Sequence, residues 1–221
     1  MTLAVTEFFT SIAGETSWSG LPCTFIRLAG CNLNCKWCDT TYAKKDGKRV
    51  NLDEAFGTIL DAGTNLVCVT GGEPLMQEKT PLLIRKLIRA KKKVLVETNG
   101  SFDIGIVSER AHRIVDVKTP GSGESKSFML DNLGKLTKRD ELKFVISNER
   151  DFNWTAKFVK KHDLESKCGL LVTPALTPGC DRSEFRILKR LLAERVLTSG
   201  IPFRYNIQLH KVIWGARRRG V

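Results

Sequence analysis

Residues 24–38 read TFIRLAGCNLNCKWC, and this stretch is the one that decides the fold. Its first five residues are apolar or β-branched apart from Arg27, which is typical of a buried strand. The rest is a loop in which Cys31, Cys35 and Cys38 have the spacing C-x3-C-x2-C. In α/β folds chemistry gathers at the carboxyl ends of parallel strands, and a strand that leads directly into reactive side chains fits that arrangement.

Similar strands recur along the chain, with helical patterns between them. Helices are predicted over 51–62, 151–162 and 183–199, and another begins at Pro81. The predicted strands cover 24–28, 66–69, 94–97, 114–117, 142–146, 170–173 and 203–207. Alternating strands and helices indicate parallel βαβ units. About six such units, in a chain too short for an eightfold barrel, predict an α/β fold with an incomplete (β/α) barrel formed by one domain, residues 1–221.

Three further loops follow strands at the same predicted edge. They read TGGEP at 70–74, TNG at 98–100 and KTPGS at 118–122. Because the carboxyl ends of parallel strands meet at one rim, these loops are expected to face the cysteine loop across a shared site.

The composition limits the class of protein. The chain has 221 residues, a formal charge of +12 and 42% hydrophobic residues, as in ordinary globular proteins. No stretch approaches the roughly 20 apolar residues of a membrane span. The first residues lack a basic segment, and Glu7 interrupts their apolar run, so a signal peptide is not expected. These features predict a cytoplasmic protein that does not bind membranes.

The cysteine content points to a metal site. Seven cysteines, an odd number, are poor material for a disulfide framework. A structural zinc site normally needs four protein ligands, and Cys23 is expected on the far side of its strand. Three cysteines on one loop suit a four-iron cluster that leaves one iron open to a small molecule. A degenerate zinc site and buried thiols remain the alternatives at this point.

The cysteine loop resembles the hallmark of the radical S-adenosylmethionine superfamily, and the loop at 70–74 is similar to that superfamily's GGEP motif. The resemblance implies a [4Fe-4S] cluster on Cys31, Cys35 and Cys38, with S-adenosylmethionine bound at the fourth iron. It also implies that the loop glycines approach the bound amino acid closely and that the Glu73 carboxylate holds its ammonium group.

Segments throughout the chain are similar to the 7-carboxy-7-deazaguanine synthase family. They read EFFTSIAGE at 7–15, TFIRLAGC at 24–31, WCDT at 37–40, DVKTPGS at 116–122 and QLHKVIWG at 208–215. The resemblance implies a carbon–nitrogen lyase of deazapurine and queuosine biosynthesis. The implied reaction converts 6-carboxy-5,6,7,8-tetrahydropterin to 7-carboxy-7-deazaguanine with loss of ammonia, through a 5′-deoxyadenosyl radical that abstracts the C6 hydrogen of the substrate.

The same resemblance implies the residues of the site. Thr40 would bind Mg²⁺ through its hydroxyl group. The residues implied to contact S-adenosylmethionine are Trp37, Cys38, Asp39, Gly72, Thr98, Asn99, Lys118, Thr119 and Pro120. The residues implied to contact the pterin are Ile12, Ala13, Gly14, Arg27, Thr70 and Val221. The chain departs from the family at residues 13–16, where it reads Ala-Gly-Glu-Thr and the family usually reads Gln-Gly-Glu-Gly.

Simpler roles exist for several of these side chains. Arg27 could pair with a surface carboxylate, Thr40 could cap a helix, and Lys118 could be a solvated lysine. Four large side chains are assigned to the packed core: Phe8, Phe9, His210 and Trp214.

The resemblance also implies a homodimer, and the basic charge favours an acidic electron donor such as a flavodoxin. The charges, including those at 91–93 and 217–219, are scattered and no nucleic-acid recognition module is visible, which disfavours nucleic-acid binding. Two rival functions remain: an enzyme that places a glycyl radical on a partner protein, and a zinc-bearing RNA-interaction domain.

Overall fold

The computed structural model describes residues 1–177, 179–216 and 218–221. Pro178 and Arg217 lie outside the described residues. Arg217 is the first residue of the predicted basic segment at 217–219. Within the described residues, the strands are β1 Thr2–Ile12, β2 Pro22–Leu28, β3 Lys48–Asn51, β4 Leu66–Gly71, β5 Lys93–Thr98, β6 His112–Asp116, β7 Glu141–Ile146, β8 Gly169–Pro174 and β9 Phe203–Tyr205. The α-helices are α1 Leu52–Asp61, α2 Thr80–Arg89, α3 Glu149–Lys161, α4 Arg182–Thr198 and α5 Leu209–Trp214.

All the strands belong to one open sheet with the order β3-β1-β2-β4-β5-β6-β7-β8-β9. β2 and the six strands β4 to β9 run parallel to one another. Helices connect several of these strands in sequence. The prediction of an α/β fold with an incomplete parallel barrel is therefore confirmed. That one domain spans 1–221 stays a prediction.

Two strands were absent from the predicted set. β1 pairs antiparallel with β2, and β3 pairs antiparallel with β1 at the edge of the sheet. β3 reads KRVN and is largely exposed, so it lacks the apolar run by which a strand is recognised. β1 has only two fully buried side chains among eleven residues, so its apolar signal is also weak.

The helices begin and end close to the predicted positions because local capping signals fix them. Asn51 accepts a hydrogen bond from the backbone N–H of Asp53 and caps α1. Asp181 and Glu184 form a capping box at the start of α4. None of the helices in the described residues is long and apolar enough to cross a membrane.

The side chains of the strands alternate between two environments. One set packs against the helices and forms the large core, which includes Val67, Val69 and Val96. The other set, which includes Leu66 and Cys68, forms a smaller buried cluster. Because alternate residues of a strand point to opposite faces, this second set lines the interior of the barrel.

A short loop, residues 13–21, closes the end of the barrel opposite the strands' carboxyl ends. Ala13 N–H donates to Leu21 O at 2.8 Å, and Trp18 packs edge-to-face against His112 at 5.7 Å. Within this loop Thr16 is buried and has φ +75°, the left-handed region that β-branched residues rarely adopt.

Replacing Thr16 by glycine is expected to raise the free energy of unfolding by about 1 kcal/mol, because glycine adopts positive φ without a steric penalty. The expected increase allows for the loss of the hydrogen bond that Thr16 Oγ1 accepts from Trp18 N–H. Urea denaturation measures the change. Thr58→Gly, in the middle of α1, is the matched control and is expected to lower stability. Equal losses for both variants would contradict the assignment of strain to Thr16.

Candidate functional site

A cavity of about 240 Å³ opens at the carboxyl ends of the parallel strands. The interior positions of each strand change from apolar to polar as the strand approaches this cavity. Leu66 and Cys68 belong to the buried cluster, whereas Thr70 lines the cavity, and Leu95 is followed in the same way by Glu97. The alternation of side chains thus gives the barrel an apolar floor and a polar mouth.

The loop that carries the cysteines follows β2 and is held by the loops after β5 and β6. Asn99 Nδ2 donates to Asn32 Oδ1 at 3.0 Å, and Lys36 N–H donates to Ser122 O at 3.1 Å. These bonds join three of the predicted rim loops, so the position of the cysteines depends on the tertiary fold as well as on local sequence.

Cys31, Cys35 and Cys38 are free thiols that line this one cavity. Burial raises the pKa of the Cys35 thiol, and the nearby Lys118 ammonium lowers it part of the way. Within the described residues no three His, Cys, Asp or Glu side chains are grouped to hold a single metal ion. A [4Fe-4S] cluster makes a different demand, since each cysteine binds a different iron atom. Three thiols from one loop on a shared cavity fit that donor set.

Gly71 and Gly72 allow the backbone after β4 to lie directly against the cysteine loop. A Cβ atom at Gly72 would lie 2.0 Å from Gly30 O and 2.9 Å from the Cβ of Cys31. Gly71 has φ +147°, and a Cβ there would lie 2.1 Å from Leu28 O. No side chain fits at either position. The backbone beside the first cysteine therefore stays bare and close to any group bound there.

The structure places the Glu73 carboxylate away from the cavity, which does not support the expectation that it holds a ligand ammonium group. Its side chain is fully buried and lies outside the cavity wall. Oε1 accepts hydrogen bonds from Leu75 N–H at 2.9 Å and Thr98 Oγ1 at 2.8 Å, and Oε2 accepts one from Asn99 N–H at 2.6 Å. Burial raises the pKa of this carboxyl group. Its role is to join the loops after β4 and β5.

A chain of hydrogen-bonded charged and amide side chains lines the cavity. Lys143 Nζ donates to Glu15 Oε2 at 3.0 Å, and Gln208 Nε2 donates to Glu15 Oε1 at 2.8 Å. Lys211 Nζ donates to Gln208 Oε1 at 2.7 Å and to Asp39 Oδ2 at 2.5 Å. The chain connects β7, the loop after β1, the start of α5 and the cysteine loop.

These ion pairs keep the cavity lysines charged. Burial alone would lower the pKa of Lys143, but Glu15 and Asp116 raise it well above its ordinary value. Burial would raise the pKa of Glu15, but the Lys143 ammonium and the Gln208 amide lower it overall. Burial alone would lower the pKa of Lys118, but Asp116, whose Oδ2 lies 2.9 Å from Lys118 Nζ, raises it overall. Lys118 is therefore a paired, largely buried cation and not a solvated lysine.

Most of the predicted site residues line this cavity. They are Ile12, Gly14, Arg27, Cys31, Cys35, Trp37, Cys38, Asp39, Thr40, Thr70, Gly72, Thr98, Asn99, Lys118 and Val221.

Three of the predicted contact residues, namely Ala13, Thr119 and Pro120, do not line the cavity. Both backbone groups of Ala13 are used within the closing loop, by Leu21 O and by Gly20 N–H. Thr119 is buried and donates its hydroxyl proton to Val145 O at 2.9 Å. Pro120 is the first residue of a 3₁₀ turn, Pro120–Ser122, that packs against the outside of the cysteine loop.

The simpler roles considered for Arg27 and Thr40 are only partly met. Arg27 Nε donates to Glu7 Oε1 at 2.7 Å, but Arg27 itself lies in the cavity wall and the pair is largely shielded from solvent. Thr40 occupies an N-cap position without making a capping hydrogen bond. Its hydroxyl donates instead to Asp39 Oδ1 at 2.9 Å.

The assignment of four large side chains to the core is right for Phe8, which packs against the main core. It is wrong for His210, which lines the cavity beside Gly14, and for Phe9, which lines the cavity too. It is also wrong for Trp214, which is exposed on α5. α5 has no buried residue, because it lies across the mouth and not under the sheet.

The sequence analysis did not assign Glu97, Asp116 or Lys143 to the site, although all three line the cavity. Each lies within a predicted strand whose other residues are apolar, and each lines the cavity. A charged residue at such a position is rarely buried without a partner or a function. That pattern was the available signal for these residues.

Comparisons with known proteins agree with this geometry. The family model described as the Radical SAM superfamily matches residues 25–118. The 7-carboxy-7-deazaguanine synthase of Koribacter versatilis is 39% identical over 226 residues, covering 99% of this chain and 100% of that protein. The enzyme of the same name from Chlorobaculum tepidum is 37% identical over 222 residues, covering 99% of this chain and 97% of that protein.

Two solved structures share the fold. QueE from Escherichia coli superposes with a TM-score of 0.77 at 20% identity, covering 95% of each chain. Streptococcus suis SuiB bound to S-adenosylmethionine gives a TM-score of 0.57 at 14% identity, covering 80% of this chain and 45% of that one.

Proposed function

The chain belongs to the 7-carboxy-7-deazaguanine synthase family of the radical SAM superfamily, and from that premise we propose that it converts 6-carboxy-5,6,7,8-tetrahydropterin to 7-carboxy-7-deazaguanine with loss of ammonia. The observation that carries the proposal is the placement of three free thiols in one cavity with the two close-packed glycines and the paired cavity charges.

Cys31, Cys35 and Cys38 would hold the [4Fe-4S] cluster. There the reduced cluster would supply the electron that cleaves the sulfonium of S-adenosylmethionine to give a 5′-deoxyadenosyl radical. The bare backbone at Gly72 admits the amino acid part of the cofactor, while Thr98, Asn99 and Lys118 offer polar groups further around the rim. Trp37 and Asp39 complete the proposed cofactor contacts.

The pterin would occupy the part of the cavity nearest β1 and β2. Arg27 supplies a guanidinium group there, suited to a carboxylate or to the polar edge of a pterin ring. Ile12, Gly14, Thr70 and Val221 would contact the remainder of the ring. The cavity residues would hold the substrate, and no protein nucleophile is required because the proposed reaction begins with hydrogen abstraction by a radical.

We propose that Thr40 is a ligand of Mg²⁺. Its O–H donates to Asp39, whose other oxygen is bound by Lys211, so the lone pairs of the Thr40 oxygen are left for a cation. Oxygen ligands of this kind suit Mg²⁺. The neighbouring Asp39 carboxylate stays ionised: burial would raise its pKa, but Lys211 lowers it overall.

Thr40→Ala is expected to raise the Mg²⁺ concentration needed for half-maximal activity by about tenfold, because one direct oxygen ligand is removed. Iron content and cleavage of S-adenosylmethionine without substrate should not change. Thr40→Ser, which keeps the hydroxyl, should behave as the wild type. Thr41→Ala is the matched control, since Thr41 is exposed and outside the cavity wall. An unchanged Mg²⁺ dependence in Thr40→Ala would remove Thr40 from the site.

An anaerobic turnover experiment tests the function as a whole. Reconstituted protein, reductant, S-adenosylmethionine, Mg²⁺ and 6-carboxytetrahydropterin are combined, and the products are identified by mass spectrometry. Several molecules of the deazaguanine are expected per molecule of S-adenosylmethionine consumed, because the cofactor is proposed to be regenerated. Cofactor cleavage without that product would overturn the substrate assignment and favour a glycyl-radical activating enzyme, whereas a colourless zinc protein would favour the RNA-interaction domain.

We also propose a homodimer in the cytoplasm, supplied with electrons by an acidic protein such as a flavodoxin. The net charge of +12 supports an acidic donor, since opposite charge speeds the encounter of such partners. The seven cysteines are free, as expected in a reducing compartment.

A further inference from the structure

A continuous stack of aromatic rings and guanidinium groups joins residue 219 to the cavity wall. The rings of Phe25 and Phe9 stack with centroids 4.7 Å apart, and the Arg27 guanidinium carbon lies 5.4 Å from the Phe9 centroid. The same carbon lies 6.0 Å from the centroid of Tyr42, and the guanidinium carbon of Arg219 lies 3.8 Å from that centroid. We name these five residues the Tyr42 stack.

Glu7 locks the middle of the Tyr42 stack. Tyr42 Oη donates a hydrogen bond to Glu7 Oε1 at 2.8 Å, and Arg27 Nε donates to the same oxygen at 2.7 Å. Burial and Glu7 raise the pKa of Tyr42 to about 12, so its hydroxyl keeps the proton that it donates. Because one carboxylate oxygen accepts from both donors, displacement of Tyr42 removes one of the contacts that fix Glu7, the ion-pair partner of Arg27.

The segment after α5 has little else to hold it in place. Residues 216, 218 and 219 are exposed. In the described part of the chain, the hydrogen bonds of residues 218–221 amount to Arg218 N–H to Gly215 O at 3.5 Å. The contact of Arg219 with Tyr42 is therefore the main attachment of this segment.

The backbone after Arg219 turns toward the cavity. Gly220 has φ +70°, and a Cβ added there would lie 4.0 Å from the Cβ of Phe9. Val221 then lines the cavity itself. The position of Val221 thus depends on Arg219, and the position of Arg27 depends on Tyr42, although neither Arg219 nor Tyr42 lines the cavity.

We propose that Arg219 and Tyr42 are positioning residues for the substrate: stacked on each other, they hold residues 220–221 over the cavity and, through Glu7, fix the Arg27 guanidinium. The proposal rests on the proposed function, since it assigns the effect to the pterin end of the site. S-adenosylmethionine and the cluster would contact other residues, so their binding should be unaffected.

The first test separates KM from kcat. Arg219→Ala is expected to raise KM for 6-carboxytetrahydropterin about two- to fivefold, the range that corresponds to one exposed cation–π contact, with kcat and iron content unchanged. Arg219→Lys should recover part of the loss, because a lysine ammonium can still lie over the ring. Arg218→Ala is the matched control, an adjacent exposed arginine without an aromatic partner in the described residues, and should behave as the wild type.

Variants of Tyr42 separate the two arms of the stack. Tyr42→Phe keeps the ring for Arg219 and removes the hydroxyl that binds Glu7. Tyr42→Leu removes both. KM is expected to rise in each and to rise further, by about tenfold or more, in Tyr42→Leu. Combining Arg219→Ala with Tyr42→Leu should add nothing, because the two residues act through one contact.

A second measurement needs no cofactor or substrate. Trypsin cleaves after arginine, and the bonds after Arg218 and Arg219 are exposed to it once residues 218–221 leave the surface. Cleavage of Tyr42→Leu in this segment, followed by mass spectrometry, should be several-fold faster than that of the wild type. Cleavage elsewhere in the chain reports general unfolding and should stay unchanged.

Equal KM values for Arg219→Ala and Arg218→Ala, or equal trypsin cleavage of wild type and Tyr42→Leu in this segment, would overturn the proposal. If the wild type did not act on the pterin at all, the proposed function would fall, while the trypsin comparison would still decide whether the Tyr42 stack holds the segment.

Discussion

Replacing any one of Cys31, Cys35 and Cys38 by alanine is expected to abolish both cluster binding and formation of 5′-deoxyadenosine. The three thiols line one cavity, and each would be the ligand of a different iron atom. The loss should be severe, because no fourth cysteine among the described residues lines the cavity, and Cys23 and Cys68 are buried in the barrel floor. Iron and sulfide analysis after reconstitution measures the first effect, and chromatography of the nucleoside product measures the second.

The matched control for these variants is Cys180→Ala. Cys180 lies just before α4 and outside the cavity wall, so iron content and turnover should match those of the wild type. Circular dichroism of the apoproteins shows whether each variant folds. A folded Cys31→Ala, Cys35→Ala or Cys38→Ala variant that kept iron and activity would contradict the assignment of that ligand.

Glu73→Gln is expected to lower the free energy of unfolding by about 3 kcal/mol and to weaken S-adenosylmethionine binding by about tenfold or more. The buried carboxylate accepts three hydrogen bonds, two of them from backbone N–H groups. A glutamine must turn its NH₂ group toward one of these donors and leave it unsatisfied, a costly change in a buried site. Because Thr98 and Asn99 lose their anchor, the loop after β5 should shift as well.

Urea denaturation of the apoprotein and equilibrium binding of S-adenosylmethionine to the reconstituted protein measure the two effects. Glu78→Gln, an exposed neighbour, is the control and should change neither. If Glu73→Gln kept full stability and lost only cofactor affinity, Glu73 would contact the cofactor directly, as the motif had suggested. The expected result is instead that Glu73→Gln loses both stability and affinity for S-adenosylmethionine.

The parallel strands, the main helices and the cysteine loop could be predicted from the sequence, because each depends on local signals. Apolar runs mark β4 to β8, the Asn51 cap marks α1, and C-x3-C-x2-C needs no distant residue to be recognised. The sequence also led to most of the residues around the cavity, since parallel strands bring their following loops to one rim.

Which polar groups face the cavity and which hold loops together could be seen only once the chain was folded. Glu73 and Glu97 both belong to strand-end segments, yet Glu73 is buried against three donors and Glu97 lines the cavity. Their roles follow from side-chain direction and from partners about 25 residues away, such as Asn99 for Glu73. The position of α5 and the contact of Arg219 with Tyr42 were likewise beyond the sequence, because they join residues far apart in the chain through packing and hydrogen bonds that no local pattern records.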